Sequence, residues 1–481
     1  MRSLPALIAT ACLMTVSLAG LAQMAKSPLD PYISIADPVI ALTHVEIIDG
    51  TGAPPVNDQT IVLDHGKIAS IGPSATAQVP SQAKVLDLHG HTVYPGLVGM
   101  HEHLFYVEPG NAALRGLVGG EMFQTGPRLY LAGGVTTART TGSIEPYSDL
   151  NVKRLVDASL MPGPDFDITG PYLDGPDPLI PQLHQLSGAE DATRTVNYWA
   201  QEGVTSFKAY MYIKPQELKA AIDAAHAHGL KITGHLCSIG FTEAADMGID
   251  NLEHGLVVDT EFYPAKKRDT CPGIRPAARE MADNLDVASS QVQAMIHNLV
   301  QHHVAVTSTL AVFEDSTPYS LLAREKDSMM PEAWTSVLET LSQIREHASQ
   351  SPWPTLLKKE MQFEREFVAA GGLLMAGCDP TGFGTVLPGF GDQRNLELLV
   401  QAGFTPEQAI QIYTQNGAKF LGREDRIGTI AAGKQADLVV VTGDAAKDIS
   451  AVEQVDIVFK KGVGYDPAKL IESARGMVGI R

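Results

Sequence analysis

The stretch Pro95–Tyr106, PGLVGMHEHLFY, sets an apolar run directly in front of two histidines separated by one residue. In a strand successive side chains alternate faces, so His101 and His103 point one way and Glu102 the other. Two imidazoles on one face make a bidentate grip for a divalent metal. The alternative is a pair of solvated loop histidines, and the rest of the chain must supply the other ligands if the first reading is right.

Downstream the sequence alternates strand-like and helix-like segments. GVTTART, FDITG, GVTSFKAYMY, LKITGHL, IDNLEH, VAVTSTL and GLLMAGCD are the strand candidates, and most precede a helical pattern such as KPQELKAAIDAAHAHG. With the histidine strand they make eight β/α units over roughly 93–423, the pattern of a TIM barrel, whose sites sit at the C-terminal ends of the strands. Ligand-type residues stand at just those ends. The first strand carries His101 and His103, the fourth Lys208, the fifth His235, the sixth His254 and the eighth Asp379. A lone histidine or strand-end lysine signifies little, but their joint placement at matched ends points to a metal centre.

On either side of the barrel lie short alternating runs, 38–92 and 424–466, with DHGK reading as a hairpin turn. Each set has too few strands for a core, so together they are expected to form one small β-sandwich domain built from both ends of the chain. The text at about 256–290 is too long for a simple loop and reads as an insertion over the barrel mouth, a candidate lid.

The opening MRSLPALIATACLMTVSLAGLAQ has an early Arg2, an apolar stretch from Leu4 to Leu18 and small residues at Gly20 and Ala22. This is the pattern of a signal peptide cleaved after residue 22, so an exported protein, periplasmic or secreted, is expected. Lys and Arg number 36 against 55 Asp and Glu, a net charge of −19, which argues against a nucleic-acid or anionic-membrane partner. No membrane span is expected, and a homo-oligomer is left open. Cys237, Cys271 and Cys378 follow the leader and allow at most one disulfide.

The segments DLHGHTVYPGLVGMHEHL, AAHAHGLKITGHL, GIDNLEHG, LELLVQAGFTPEQAIQIYTQNGAKFLG and RIGTIAAGKQADLVVV resemble the amidohydrolase superfamily, more closely its imidazolonepropionase-like and Xaa-Pro-dipeptidase-like branch. The resemblance covers nearly the whole chain after the leader. It implies a binuclear centre of two divalent ions, zinc being the expected metal. His101, His103 and Asp379 would hold the buried ion, His235 and His254 the more exposed one, and Lys208, carbamylated by CO2, would bridge them. A lysine ammonium cannot ligate a cation, whereas its carbamate is an anionic oxygen donor. Water between two such ions becomes a hydroxide near neutral pH, with Asp379 as proton shuttle to the leaving nitrogen. Mononuclear deaminases of the superfamily carry His-x-x-Glu after the fifth strand and no strand-4 lysine; here Ser238 stands in the glutamate position.

The implied reaction is hydrolysis of an amide C–N bond, in a dipeptide or N-acyl amino acid. A cyclic amide or lactone is the alternative substrate, and a non-catalytic metal- or ligand-binding scaffold is the alternative from another class. The shuttle carboxylate argues for the enzyme. Tyr210, two residues beyond Lys208, shares its inward face and either binds substrate or packs. Arg139 either reads a substrate carboxylate at the mouth or closes an internal ion pair. Arg394 is a further mouth candidate or a helix-surface residue. Leu236 replaces the tyrosine that the branch often places after the strand-5 histidine, which weakens any transfer of dipeptidase specificity. His184, His226, His228, His302 and His303 have no partner at ligand spacing and read as structural.

Overall fold

The structure, a computed structural model, describes residues 27–108, 118–176, 178–318, 324–382 and 384–480. The expected leader, 1–22, lies outside the described residues. Among them, eight parallel strands form a barrel: β1 (Leu97–Glu102), β2 (Val135–Thr140), β3 (broken into Asp165–Asp167 and Thr169–Leu173), β4 (Ser206–Ala209), β5 (Lys231–Gly234), β6 (Asn251–Glu253), β7 (Ala305–Ser308) and β8 (Leu374–Ala376). Every residue of β1, β2 and β7 is buried. Parallel strands covered on both faces read as continuous apolar runs for this reason, and polar residues within them are conspicuous.

The break at Ile168 divides the ladder, so that the first piece of β3 pairs with β2 and the second with β4. The ring closes between β8 and β1, where the Asp379 N–H donates to the His101 carbonyl at 2.9 Å. Gly377 permits that closure, because a Cβ there would lie 2.2 Å from the His101 nitrogen. The strand ends bearing His101 and Asp379 are thus pressed together by backbone contact.

The small β-sandwich domain joins both ends of the chain. Among the described residues its sheet runs Ile33–Ile35, Val463–Tyr465, Val455–Lys460, Leu438–Thr442, His91–Pro95, Val39–Ile47, Val56–Asp64 and Lys67–Pro73, with Lys84–Asp87 paired to Val39–Ile47. Inward residues from both halves, including Leu42, Ile61, Leu438 and Phe459, share one apolar core. Each such side chain contributes about 1.5–3 kcal/mol on burial. The DHGK hairpin forms as expected: His65 and Gly66 both have positive φ, as a two-residue type I′ turn requires. The antiparallel pairing of Leu438–Thr442 with His91–Pro95 anchors the chain two residues before β1 begins.

The segment after β6 starts with a short turn, Gly255–Val257, and later forms the helix Ile274–Asn284. Between them Cys271 is disulfide-bonded to Cys237, and Cys378 is the free cysteine among the described residues. The connection from β7 to β8 is a second excursion, unremarked in the sequence, with helices Leu310–Asp315, Pro331–Glu346 and Trp353–Ala369. Its helical periodicity resembles that of an ordinary barrel helix, and periodicity carries no signal of an extra one. No helix among the described residues is long and apolar enough to cross a membrane.

Candidate metal centre

All six ligand candidates meet at the C-terminal end of the barrel. His103 Nε2 lies 3.2 Å and His101 Nε2 3.6 Å from Asp379 Oδ1. Lys208 Nζ lies 3.2 Å from His101 Nε2. The His254 ring stands 4.6 Å from that of His101 and 4.4 Å from that of His235. His254 and Asp379 both have left-handed backbones, with φ of 70° and 48°. Such conformations cost on the order of 1 kcal/mol or more in a residue with a Cβ.

The hydrogen-bond partners fix which nitrogen of each ring is free. His101 Nδ1 donates to Glu253 Oε2 at 2.8 Å, and His103 Nδ1 to the Gly142 carbonyl at 3.2 Å. Both Nε2 atoms therefore carry lone pairs, a tautomer assigned from these partners. Burial pushes the His103 ring down to about 4, and burial with the nearby Lys208 pushes His235 to about 3. Both Nε2 lone pairs face Asp379 Oδ1, with Lys208 Nζ at 3.2 Å from His101 and the Tyr172 hydroxyl at 3.5 Å from His103 as the donors in reach. A cation there satisfies all three at once.

The second half of the centre shows the same want of a partner. His254 Nδ1 is bonded to Thr309 Oγ1 at 2.7 Å, whereas its Nε2 is buried without a hydrogen bond. Lys208 is buried and its ammonium is pushed down to about 8, chiefly by desolvation. A free amine is the form that adds CO2, and its Nζ sits over the rings of Tyr172 and Tyr210 at 5.2 and 5.7 Å. The residues present fit two divalent ions.

Arg139 does not reach the mouth, and the carboxylate-clamp expectation is corrected here. Its guanidinium is 2% exposed and donates to the Met100 carbonyl, Asn251 Oδ1 and Glu253 Oε1. Burial favours deprotonating the Glu253 carboxyl less than it favours neutralising it, yet Arg139 and His101 together hold it down at about 2. Arg139, Glu253 and His101 form a chain under the floor of the site, which orients the imidazole as a carboxylate–histidine pair does in metal sites. Arg394 is likewise engaged, with Glu314 at 2.7 Å and with Glu397.

Tyr210 is brought to the site, edge-on to His235 at 4.9 Å and to Tyr172 at 4.8 Å. Sequence reading missed Glu253, Thr309 and Tyr172, whose hydroxyl lies 3.5 Å from His103 Nε2. Glu253 carried a signal, an acid directly before the strand-end His254. His184, His226, His228 and His302 bond to Asp191, Asp250, Asn197 and Asp246, away from the centre.

A barrel with neutral imidazoles, a buried lysine and a carboxylate at its strand ends defines a class. The profile of the amidohydrolase family matches residues 92–463, and the chain belongs to that family. It is therefore a hydrolase acting on C–N bonds. The chain is 34% identical over 89 residues to the dihydroorotase of Mycobacterium tuberculosis, and that match spans only 18% of either protein. It is 22% identical over 435 residues to the imidazolonepropionase of Stenotrophomonas maltophilia, covering 84% of this chain and 91% of the relative. Its fold is similar to the crystal structure of a Xaa-Pro dipeptidase with bound methionine in the active site. The TM-score is 0.66 at 20% identity, covering 89% of this chain and all of that one.

Proposed function

We propose that this protein is an exported binuclear amidohydrolase that cleaves the amide C–N bond of a dipeptide or an N-acyl amino acid. The observation that carries the reading is the convergence of His101 Nε2 and His103 Nε2 on Asp379 Oδ1, at 3.6 and 3.2 Å, together with the buried, unpartnered Nε2 of His254. His101, His103 and Asp379 would hold one ion, His235 and His254 the other, with carbamylated Lys208 shared; zinc suits the nitrogen and oxygen donors. The ions supply Lewis-acid polarisation of the substrate carbonyl and lower the pKa of water. Asp379 takes the proton of the attacking water and returns it to the leaving nitrogen. Glu253 holds His101 and the Gly142 carbonyl holds His103, so that neither ring turns as charge develops. Tyr210 borders the substrate beside His235.

The leader pattern supports export, and the Cys237–Cys271 disulfide fits an oxidising compartment. A second reading, a cyclic amide or lactone substrate, is favoured by one observation: the two arginines the sequence offered to a substrate carboxylate, Arg139 and Arg394, are both spent on internal carboxylates.

The test is elemental analysis of the purified protein beside a hydrolysis screen. About two divalent ions per chain and loss of hydrolysis on chelation are expected. Lys208→Ala should lose ions and activity together and regain part of both with a short carboxylic acid in the buffer. Full activity in metal-free protein sinks the reading, and an undiminished Lys208→Ala variant removes the carbamate.

A further inference from the structure

Directly behind the metal centre, on the outer face of β1, lies a second buried cluster of ligand-type residues: Glu102, Cys378 and Asp392. One ligand atom of each lies within 4.8 Å of the others, and all three are fully buried. Cys378 offers its backbone N–H to Glu102 Oε1 at 3.3 Å and its thiol to Glu102 Oε2 at 3.2 Å. Asp392 accepts from the Gly389 N–H at 2.8 Å and from the Tyr413 hydroxyl at 2.9 Å. The donors and acceptors of this cluster are closed on one another. Space is closed as well, since a Cβ at Gly99 would lie 2.4 Å from Glu102 Oε1, and one at Gly391 would lie 2.9 Å from Cys378 Cβ.

The cluster touches both ligand-bearing segments through the backbone. Glu102 stands between His101 and His103 in sequence, and Cys378 immediately precedes Asp379. On the same side the Tyr130 hydroxyl donates to the His103 carbonyl at 2.8 Å and accepts from the His103 N–H at 3.0 Å. Asp392 lies in the first turn of helix Phe390–Ala402 and so ties the segment after β8 into the same bonds.

We propose that Glu102, with Cys378 and Asp392, is a positioning clamp that sets the spacing between the β1 histidines and Asp379, and is not a third metal site. The proposal rests on the metal reading above, because what the clamp positions is the ligand set. A glutamine at 102 keeps the size and an accepting oxygen for Cys378, whereas alanine leaves Cys378 and Asp392 without their partner.

The experiment compares wild type, Glu102→Gln and Glu102→Ala as full chains. Metal content is measured by elemental analysis, affinity by competition with a chromophoric chelator, and ligand geometry by the visible spectrum of the Co2+-loaded protein. Glu102→Ala should weaken metal binding by about 10–100-fold, as lost outer partners of a metal site do, and shift the Co2+ bands. Glu102→Gln should restore both. If Glu102→Ala does not fold, Cys378→Ala, which removes only the thiol, should shift the same bands by a smaller amount. Wild-type affinity and an unshifted spectrum in the truncated variant overturn the clamp while leaving the metal centre standing. A Glu102→Gln protein that holds one ion fewer than wild type overturns it in favour of a third site. A wild-type protein without divalent ions overturns both the clamp and the reading beneath it.

Discussion

The two faces of β1 carry two clusters of similar composition and opposite character. Inward, His101 and His103 meet Asp379; outward, Glu102 meets Cys378 and Asp392, and both groups are buried side chains of metal-binding types. What separates them is where the protons are. The inner rings have given their Nδ1 hydrogens to Glu253 and to the Gly142 carbonyl, so their Nε2 lone pairs face Asp379 across the centre. The outer cluster has a donor for each acceptor, from the Cys378 thiol to the Tyr413 hydroxyl. Buried polar atoms in folded proteins are nearly always satisfied, so residue types that bind metals mark a site only where their lone pairs are left over.

The largest expected effect tests the inner face. Asp379→Asn keeps the shape but replaces an ionised acceptor with an amide that cannot take a proton. It is expected to lower kcat by about two to four orders of magnitude, the range for a lost general acid/base. Metal content must be measured on the same samples, since Asp379 is also a proposed ligand. Near-wild-type kcat with the ions bound would refute its role as shuttle and would erase the functional side of the comparison.

That contrast between faces was half legible in the sequence. Alternation in β1 assigns His101 and His103 to one side and Glu102 to the other, and the apolar runs ending in Lys208, His235, His254 and Asp379 place those residues at strand ends. Depth along the barrel axis was not legible. Arg139 has the right face, yet it lies level with Asp167 in the β2–β3 register, and its guanidinium turns down to Asn251 and Glu253. Register between strands two and six, 114 residues apart for Arg139 and Glu253, is set by the closed barrel and by no local pattern. The same holds for the disulfide, where three cysteines leave three pairings open until the insertion folds back toward the loop after β5.

A smaller effect sharpens the comparison from the other side, with an orphan acceptor that has no converging partners. Glu325 Oε2 is buried without a hydrogen bond, and burial pushes its carboxyl up to about 8. The folded state therefore keeps a proton that the unfolded chain, with its ordinary value of 4.5, gives up. Such a raised carboxyl contributes stability fully below the unfolded value and loses it as pH rises from there toward about 8. Wild type is expected to lose up to a few kcal/mol between about pH 5 and pH 8 through this group. Glu325→Gln should flatten that part of the profile in urea unfolding at the two pH values. An equal slope in both proteins would show that Glu325 is ionised or solvated at neutral pH.

The smallest expected effect concerns substrate charge. An unpaired guanidinium at the mouth would discriminate strongly between a free carboxylate and its amide, because leaving it buried and unmatched costs several kcal/mol. Arg139 is already matched by Glu253 beneath the floor, and Arg394 by Glu314 and Glu397. The net charge of −19 gives an anionic substrate no long-range help. Parallel kcat/KM measurements on N-acyl amino acids and their amidated counterparts are therefore expected to differ by less than about tenfold, or 1.4 kcal/mol. A near-unit ratio directs the search toward neutral amides and cyclic amides. A ratio of about a hundredfold or more in favour of the acid would mean that another donor, Tyr210 beside His235 being the first to replace with Phe, reads the carboxylate.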